Sequence, residues 1–185
     1  RDSNLSVLDG TLVLSSTSGN DLYIAGNINF SADGSLTANS RAIFFTKNGT
    51  QTISSVNALT IPYVVYQPSS GSTTVQLLSN LTIDAPSGGN AIAFSSEDDV
   101  FDINGRTLTI GTAGTANAVT GSGLIKGSFS SNLTLLGTGD IGTLSFYPDW
   151  RNLATFTINR TSSGNVSLGT DLTVHTSLAL TSGLI

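Results

Sequence analysis

Hydrophobic residues alternate with small or polar residues along most of the chain. The alternating pairs are Leu5/Val7, Leu12/Leu14, Leu81/Ile83, Leu108/Ile110, Leu133/Leu135, Leu144/Phe146, Phe156/Ile158, Val166/Leu168, Leu172/Val174 and Leu178/Leu180. A period of two places both members of a pair on one face of a β-strand. The residue between them is often Thr or Ser, which suits a solvated strand face, and helical periodicity is almost absent. The pattern predicts an all-β protein.

Turn residues divide these alternating segments at short intervals. Examples are Asp9-Gly10, Asn48-Gly49 and Asn104-Gly105, where Gly and Asn can adopt a positive φ at little cost. Short strands with frequent turns suit two architectures. One is an antiparallel β-sandwich, in which residues 101–108 could form a hairpin. The other is a parallel β-solenoid, in which each coil adds a short strand to each of several stacked sheets.

An internal similarity favours the solenoid. Residues 75–83 (VQLLSNLTI) match residues 166–174 (VSLGTDLTV), and the segments just upstream also match with one inserted residue. A module of about 90 residues therefore recurs, and no Pro-rich or charged linker separates its copies. We predict one β-helix, expected to be right-handed, over residues 1–185, with copies near 43–111 and 132–185. The apolar ending Leu184-Ile185 suggests a segment of a longer protein.

Several phrases of the chain resemble the repeats of large secreted surface proteins of Bacteroidota. They are residues 48–54 (NGTQTIS), 79–83 (SNLTI), 101–111 (FDINGRTLTIG) and 171–183 (DLTVHTSLALTSG). Residues 102–111 are also similar to the coils of pectin-lyase-like right-handed β-helix proteins. The resemblance implies an adhesin-like array, exported by the type IX secretion pathway and located outside the cell or on the bacterial cell surface.

Composition removes several classes of function. The chain has no Cys, which excludes disulfide scaffolds, thiolate zinc sites and cysteine nucleophiles. The net charge is -5 with 7 Lys and Arg residues, so we expect no nucleic-acid partner bound by a basic face. No stretch approaches the roughly 18 consecutive apolar residues of a membrane helix, so no membrane-spanning segment is expected.

The densest charge cluster consists of Glu97, Asp98, Asp99 and Asp102. Carboxylates this close could bind calcium through their hard oxygen ligands, or act as a paired acid and base on a sugar. The spacing fits neither an EF-hand loop nor the glycine-rich calcium repeats. A solvated turn, with Arg106 nearby to reduce the repulsion, is the simpler interpretation. Calcium is thus the one cofactor that the sequence leaves open.

The segment around the single Trp breaks the alternating pattern. Tyr147 and Trp150 could form a flat platform for a sugar ring, with Asp149 and Arg151 bonding its hydroxyls. Alternatively, the segment is a longer coil corner whose rings cover the end of the core. Residues 61–68 (IPYVVYQP) would occupy the corresponding loop of the earlier copy.

The single His does not indicate catalysis. If Val174 points inward, the period of two turns His175 toward solvent, and no partner that would orient it can be identified. We therefore predict a non-enzymatic, extracellular structural or adhesive stalk. Its partners would be extracellular glycans or surfaces, or further copies of itself. The alternatives are a polysaccharide lyase or hydrolase on the same scaffold, and a subunit of a filament or phage fibre.

Overall fold

The computed structural model describes residues 3–86, 89–161 and 164–182. Within these ranges the chain forms strands and turns but no helix, and all of the paired strands are parallel. They stack as a β-solenoid of about 7 turns. The predicted parallel solenoid is confirmed, and the antiparallel sandwich is excluded because the strands pair with those of neighbouring coils rather than with their sequence neighbours.

The strands contain 3 to 10 residues. In chain order the first are β1 (Leu5–Val13), β2 (Leu22–Ile24), β3 (Ile28–Thr37), β4 (Ala42–Phe45), β5 (Gly49–Ser55), β6 (Leu59–Ile61) and β7 (Tyr63–Tyr66). Then come β8 (Thr73–Leu77), β9 (Leu81–Ile83), β10 (Gly89–Ala93), β11 (Val100–Asp102), β12 (Thr107–Ile110) and β13 (Asn117–Thr120). The last are β14 (Leu124–Lys126), β15 (Asn132–Thr138), β16 (Gly142–Leu144), β17 (Asn152–Thr161), β18 (Val166–Leu168) and β19 (Thr173–Ser182).

Three sheets form the sides of the solenoid. Sheet A has the order β1-β3-β5-β8-β11-β14, sheet B the order β13-β10-β7-β4-β2, and sheet C the order β19-β17-β15-β12-β9-β6. Strands β16 and β18 form a small fourth sheet, sheet D. A complete coil passes through sheets B, A and C in turn, as β7, β8 and β9 do. Equivalent residues of adjacent coils lie between 21 positions apart (Leu22 and Ile43) and 28 positions apart (Val64 and Ile92).

The core is built from ladders, each of which contains the structurally equivalent residues of successive coils. In sheet C one inward ladder contains Leu59, Leu81, Leu108, Leu133 and Phe156, and the next contains Ile61, Ile83, Ile110, Leu135 and Ile158. All ten side chains are buried. Full burial of such a side chain stabilises the fold by roughly 1.5–3 kcal/mol relative to exposure. The alternation that predicted these inward positions is therefore confirmed in sheet C.

The last strand of sheet C departs from that pattern in its burial. Leu178 and Leu180 pair in register with Phe156 and Ile158, yet both are about half exposed. Within the described ranges no strand pairs with the other edge of β19, so nothing there covers these two residues. Leu178 and Leu180 therefore continue the two ladders in their register, but they are not buried as the other members are.

The turn at Asn104-Gly105 is a coil corner rather than the tip of a hairpin. Strand β11 belongs to sheet A and β12 to sheet C, and the two do not pair with each other. Asn104 and Gly105 have φ values of 51° and 71°, as the turn signal predicted, and they redirect the chain from one side of the solenoid to the next. The sequence repeat of about 90 residues aligns residues 75–83 with residues 166–174, and so it aligns β8 of sheet A with β18 of sheet D. The repeat stays a prediction.

No helix within the described ranges is long and apolar enough to cross a membrane.

Candidate groove on the outer face of sheet A

Outward side chains of sheet A form a polar row across three coils. Gln76 of β8, Asp102 of β11 and Lys126 of β14 occupy the same register position. They point outward because the residues before Asp102 and Lys126, Phe101 and Ile125, are buried in the core. Parallel pairing without a shift thus brings together three polar residues, of which successive members lie 26 and 24 positions apart in the sequence.

Asp102 connects the row through one carboxylate oxygen and is anchored to the main chain through the other. Its Oδ2 accepts hydrogen bonds from Gln76 Nε2 and from Lys126 Nζ, both at 3.0 Å. Its Oδ1 accepts a 2.9 Å hydrogen bond from the main-chain N–H of Asn104. The Asp102 side chain is only 4% exposed, whereas that of Lys126 is 29% exposed. A buried carboxylate is tolerated where its oxygens are bonded in this way, and here it fixes the positions of two more accessible side chains.

Two aromatic side chains border the row. After the buried Phe146, the chain turns outward, and the N–H of Trp150 donates to the carbonyl oxygen of Tyr147 at 2.9 Å. The carbonyl oxygen of Trp150 in turn accepts from the N–H of Gly127 at 2.9 Å, which anchors the turn to the adjacent coil. The Trp150 ring lies 4.9 Å from Lys126 Nζ, a cation–π contact. Trp150 remains 46% exposed and Tyr147 37% exposed.

The row and the rings together form a groove of about 520 Å³. Its lining extends from Thr50 on β5, past Gln76 and Lys126, to Tyr147 and Trp150. A second depression of about 200 Å³ shares Gln76, Asp102, Lys126 and Trp150 with the first, and continues over Asn104, Ser128 and Ser130. The two depressions are therefore neighbours with a common centre. We call them the main depression and the corner depression.

The predicted sugar platform is brought together only in part. Tyr147 and Trp150 both line the main depression. Asp149 is exposed and lines neither depression, and Arg151 pairs with Asp171 at 3.5 Å on the surface. The polar residues next to the rings are Gln76, Asp102 and Lys126 instead. The period of two marks these residues as outward, but only the register between coils places them beside Trp150.

The four acidic residues of the predicted calcium cluster have separate surroundings. Asp99 is buried, and its Oδ2 accepts from the N–H and the hydroxyl of Ser95 and from the N–H of Ser96, at 2.8 to 2.9 Å. Its Oδ1 accepts from the N–H of Thr73 at 2.9 Å. Asp99 thus closes the loop before β11.

The other three acids do not join Asp99 in a metal-binding group. Asp102 lies in the groove, Asp98 lies on the rim of the main depression, and Glu97 is exposed. Within the described part of the chain, no three His, Asp or Glu side chains form a group that could hold a metal ion.

The prediction that residues 61–68 form a loop equivalent to the Trp150 loop is wrong. Residues Tyr63–Tyr66 form β7 in sheet B, and Tyr66 is buried inside the solenoid. Its hydroxyl donates a 3.0 Å hydrogen bond to the carbonyl oxygen of Val100, and its ring lies 4.8 Å from that of Phe94. Burial, with a further contribution from Asp99, raises the pKa of Tyr66 well above its ordinary value. This tyrosine is a core residue because alternation within β7 turns it inward.

His175 points away from the core, as predicted. It is exposed, with Nε2 3.0 Å from Asn152 Oδ1 and its ring edge-on to Phe129 at 4.4 Å. The preceding Val174 packs against the core.

Searches of protein-family models, of curated proteins and of solved structures found no match to this chain.

Proposed function

We propose that this chain is a non-enzymatic, extracellular stalk or adhesive module of a bacterial surface protein. The observation that carries the proposal is the pair of unbroken inward ladders in sheet C, where five successive coils each contribute two buried hydrophobic residues. A stack in which each coil packs on its neighbours extends along one axis without a hinge. Such a stack can separate a binding surface from the point at which the protein is attached.

The groove supports the adhesive part of the proposal. It places two half-exposed aromatic rings beside bonded polar side chains, a combination that suits glycans or other hydroxyl-rich surfaces. The resemblance of residues 48–54, 79–83, 101–111 and 171–183 to Bacteroidota surface repeats supports a secreted location and export by the type IX pathway.

The rival function, a polysaccharide lyase or hydrolase, would draw its acid and base from the same groove. Lys126 and Asp102 are the obvious candidates, but they bond each other at 3.0 Å and Asp102 is almost fully buried. A general base must reach the proton that it removes. The mutual pairing therefore favours binding over turnover.

Three measurements on the purified chain test the proposal. Small-angle X-ray scattering should give an elongated particle, and beads coated with the chain should adhere to glycan-bearing surfaces. Incubation with acidic polysaccharides should release no product. Product release would favour the polysaccharide lyase or hydrolase over the stalk. Ordered end-to-end polymers in electron micrographs would favour the filament subunit. A compact particle, or coated beads that adhere to no surface, would overturn the proposal.

A further inference from the structure

We propose that the main and corner depressions form one continuous site for a linear, uncharged oligosaccharide. Sugar rings would lie in two adjoining subsites, one on each side of the centre formed by Gln76, Lys126 and Trp150. This inference rests on the adhesive part of the proposed function, and it specifies the class of ligand and the residues that bind it.

The shape of the groove suits an extended chain. The main depression crosses sheet A from Thr50 on β5 to Lys126 on β14, which spans three strand spacings, or about 14 Å, and it ends at Trp150. The corner depression begins at the same centre and continues toward Ser128 and Ser130. An oligosaccharide of several rings can therefore occupy both depressions, whereas a single sugar would fill only part of the main one.

The hydrogen-bonding groups at the centre have unused capacity. The Lys126 ammonium has three N–H donors, of which one bonds Asp102 and another faces the Trp150 ring, so one is left for a ligand. Gln76 uses one N–H on Asp102, and its Oε1 accepts no hydrogen bond from the described part of the protein. A donor and an acceptor side by side match a sugar hydroxyl, which both donates and accepts.

Asp102 acts as a positioning residue in this arrangement. Its side chain is 4% exposed, so it offers a ligand little surface of its own. Its bonds to Gln76 and Lys126 hold both side chains in one geometry, which lowers the entropy that binding would otherwise have to remove.

The aromatic residues supply the apolar surface. Lys126 covers one face of the Trp150 indole, so a pyranose ring would stack on the part that stays exposed. Tyr147 borders the same depression and adds a second ring with a hydroxyl. Because main-chain hydrogen bonds hold the turn that carries both residues, little rearrangement of the main chain is needed on binding.

The charges at the site favour an uncharged ligand. The charged residues lining the two depressions are Asp98, Asp102 and Lys126, and the single cation is already paired with Asp102. A polyuronate or a sulfated glycan would approach Asp98 and a chain of net charge -5 without gaining a free cation. An uncharged chain of hexoses meets no such repulsion.

Titration calorimetry with the intact chain tests the proposal. The probes are hexasaccharides of β-1,4-glucose, β-1,3-glucose and β-1,4-mannose, with hexagalacturonate as the charged counterpart. At least one uncharged hexasaccharide should bind with a Kd of about 0.1–1 mM, and hexagalacturonate should bind at least about tenfold more weakly. The disaccharide of the bound sugar should also bind about tenfold more weakly, because it fills one depression only.

Variants separate the proposed residues from their neighbours. Trp150→Ala and Lys126→Met should each weaken binding by about tenfold, and Trp150→Phe should weaken it less. Asp149→Ala and Arg151→Ala are the matched controls in the same loop, and they should leave the Kd unchanged because neither residue lines a depression. A thermal melt of each variant shows that the fold is retained, and Trp150→Phe and Tyr147→Ala provide milder changes if a larger one destabilises the chain.

Three results would overturn the inference. They are binding of hexagalacturonate in preference to the uncharged sugars, loss of binding in the Asp149 and Arg151 variants but not in the Trp150 variants, and no binding of any hexasaccharide. If no hexasaccharide binds while coated beads still adhere to surfaces, the groove assignment fails but the adhesive stalk stands. If neither occurs, both proposals fail.

Discussion

The guanidinium of Arg160 donates a 2.9 Å hydrogen bond to the main-chain carbonyl oxygen of Asn117, two coils away and 43 residues earlier in the chain. Its other hydrogen bonds go to the carbonyl oxygens of Leu136, Thr138 and Gly139 in the coil between them. The side chain is fully buried. Burial lowers the pKa of the guanidinium, and Asp140 partly offsets that effect. Arg160 thus ties three coils together at one corner.

Replacing Arg160 should destabilise the solenoid although no ligand is involved. Arg160→Met fills much of the same space but leaves four buried or partly buried carbonyl oxygens without this donor, which should cost about 2–4 kcal/mol. Arg160→Lys should cost less, because an ammonium can still bond some of the oxygens. Urea denaturation measures the loss. Arg106→Met is the control, since Arg106 is exposed and its replacement should change stability by less than about 0.5 kcal/mol. Equal midpoints for the two Met variants would contradict the assigned role.

The position of Ile83 in an inward ladder of sheet C predicts that Ile83 and its neighbour Thr82 contribute differently to stability. Ile83 is fully buried and Thr82 faces outward, so Ile83→Ala should cost about 2–5 kcal/mol and Thr82→Ala less than about 0.5 kcal/mol. Ile83→Asp should unfold the surrounding coils, because a charge would enter the core without a partner. Circular dichroism melts of the variants measure these differences. Similar losses for the two alanine variants would mean that the faces of β9 are assigned the wrong way round.

The raised pKa of Tyr66 predicts that the stability of the fold decreases at alkaline pH. Its pKa is raised in the folded state, so the folded chain holds this proton more tightly than the unfolded chain does. The contribution is fully present below the ordinary value of 10.0 and is lost progressively as the pH rises from there toward the raised pKa. Denaturation midpoints between pH 8 and about 11 should therefore fall more steeply in the native chain than in Tyr66→Phe.

The Tyr66→Phe variant also has an expected effect at neutral pH. It loses the hydrogen bond to the carbonyl oxygen of Val100 and should be less stable by about 1 kcal/mol there. The stability difference between the two proteins should narrow as the pH rises above 10.0. Parallel pH profiles would show that Tyr66 does not titrate with unfolding.

The loop before β11 should depend on Asp99 rather than on a metal ion. Asp99→Ala removes the acceptor of four hydrogen bonds and should cost about 1–3 kcal/mol, whereas Asp98→Ala on the exposed rim should have little effect. Calcium at millimolar concentration should leave the melting temperature of the native chain unchanged. A calcium-dependent rise that disappears in Asp99→Ala would instead establish the calcium site.

The sequence predicts the strands and the core of this fold well, because both depend on local alternation. Leu108 and Ile110 are buried as their spacing indicates, and Asn104-Gly105 turns the chain where the dipeptide predicts. The absence of a linker between similar segments also favoured stacking over separate sandwiches. What alternation cannot supply is the register between coils, since each coil has its own length.

The candidate groove depends on that register, and this is why only part of it was predicted. Tyr147 and Trp150 stand out by residue type, but Gln76 and Lys126 are unremarkable polar residues until Asp102 lies between them. Arg160 was missed for another reason. It continues the alternation of Phe156 and Ile158, which indicates an inward position, but a charged residue there is not recognised as buried until its carbonyl partners are known.

Coil length varies from 21 to 28 residues, while the two inward ladders of sheet C stay in register from β6 to β17. Extra residues are accommodated at the corners, as between β7 and β8, and in bulges within strands, as between Asn90 and Ile92 of β10. Peptides grafted into such corners should therefore leave the strand pairing intact, so the solenoid can serve as a scaffold for displaying foreign epitopes at fixed intervals along its length.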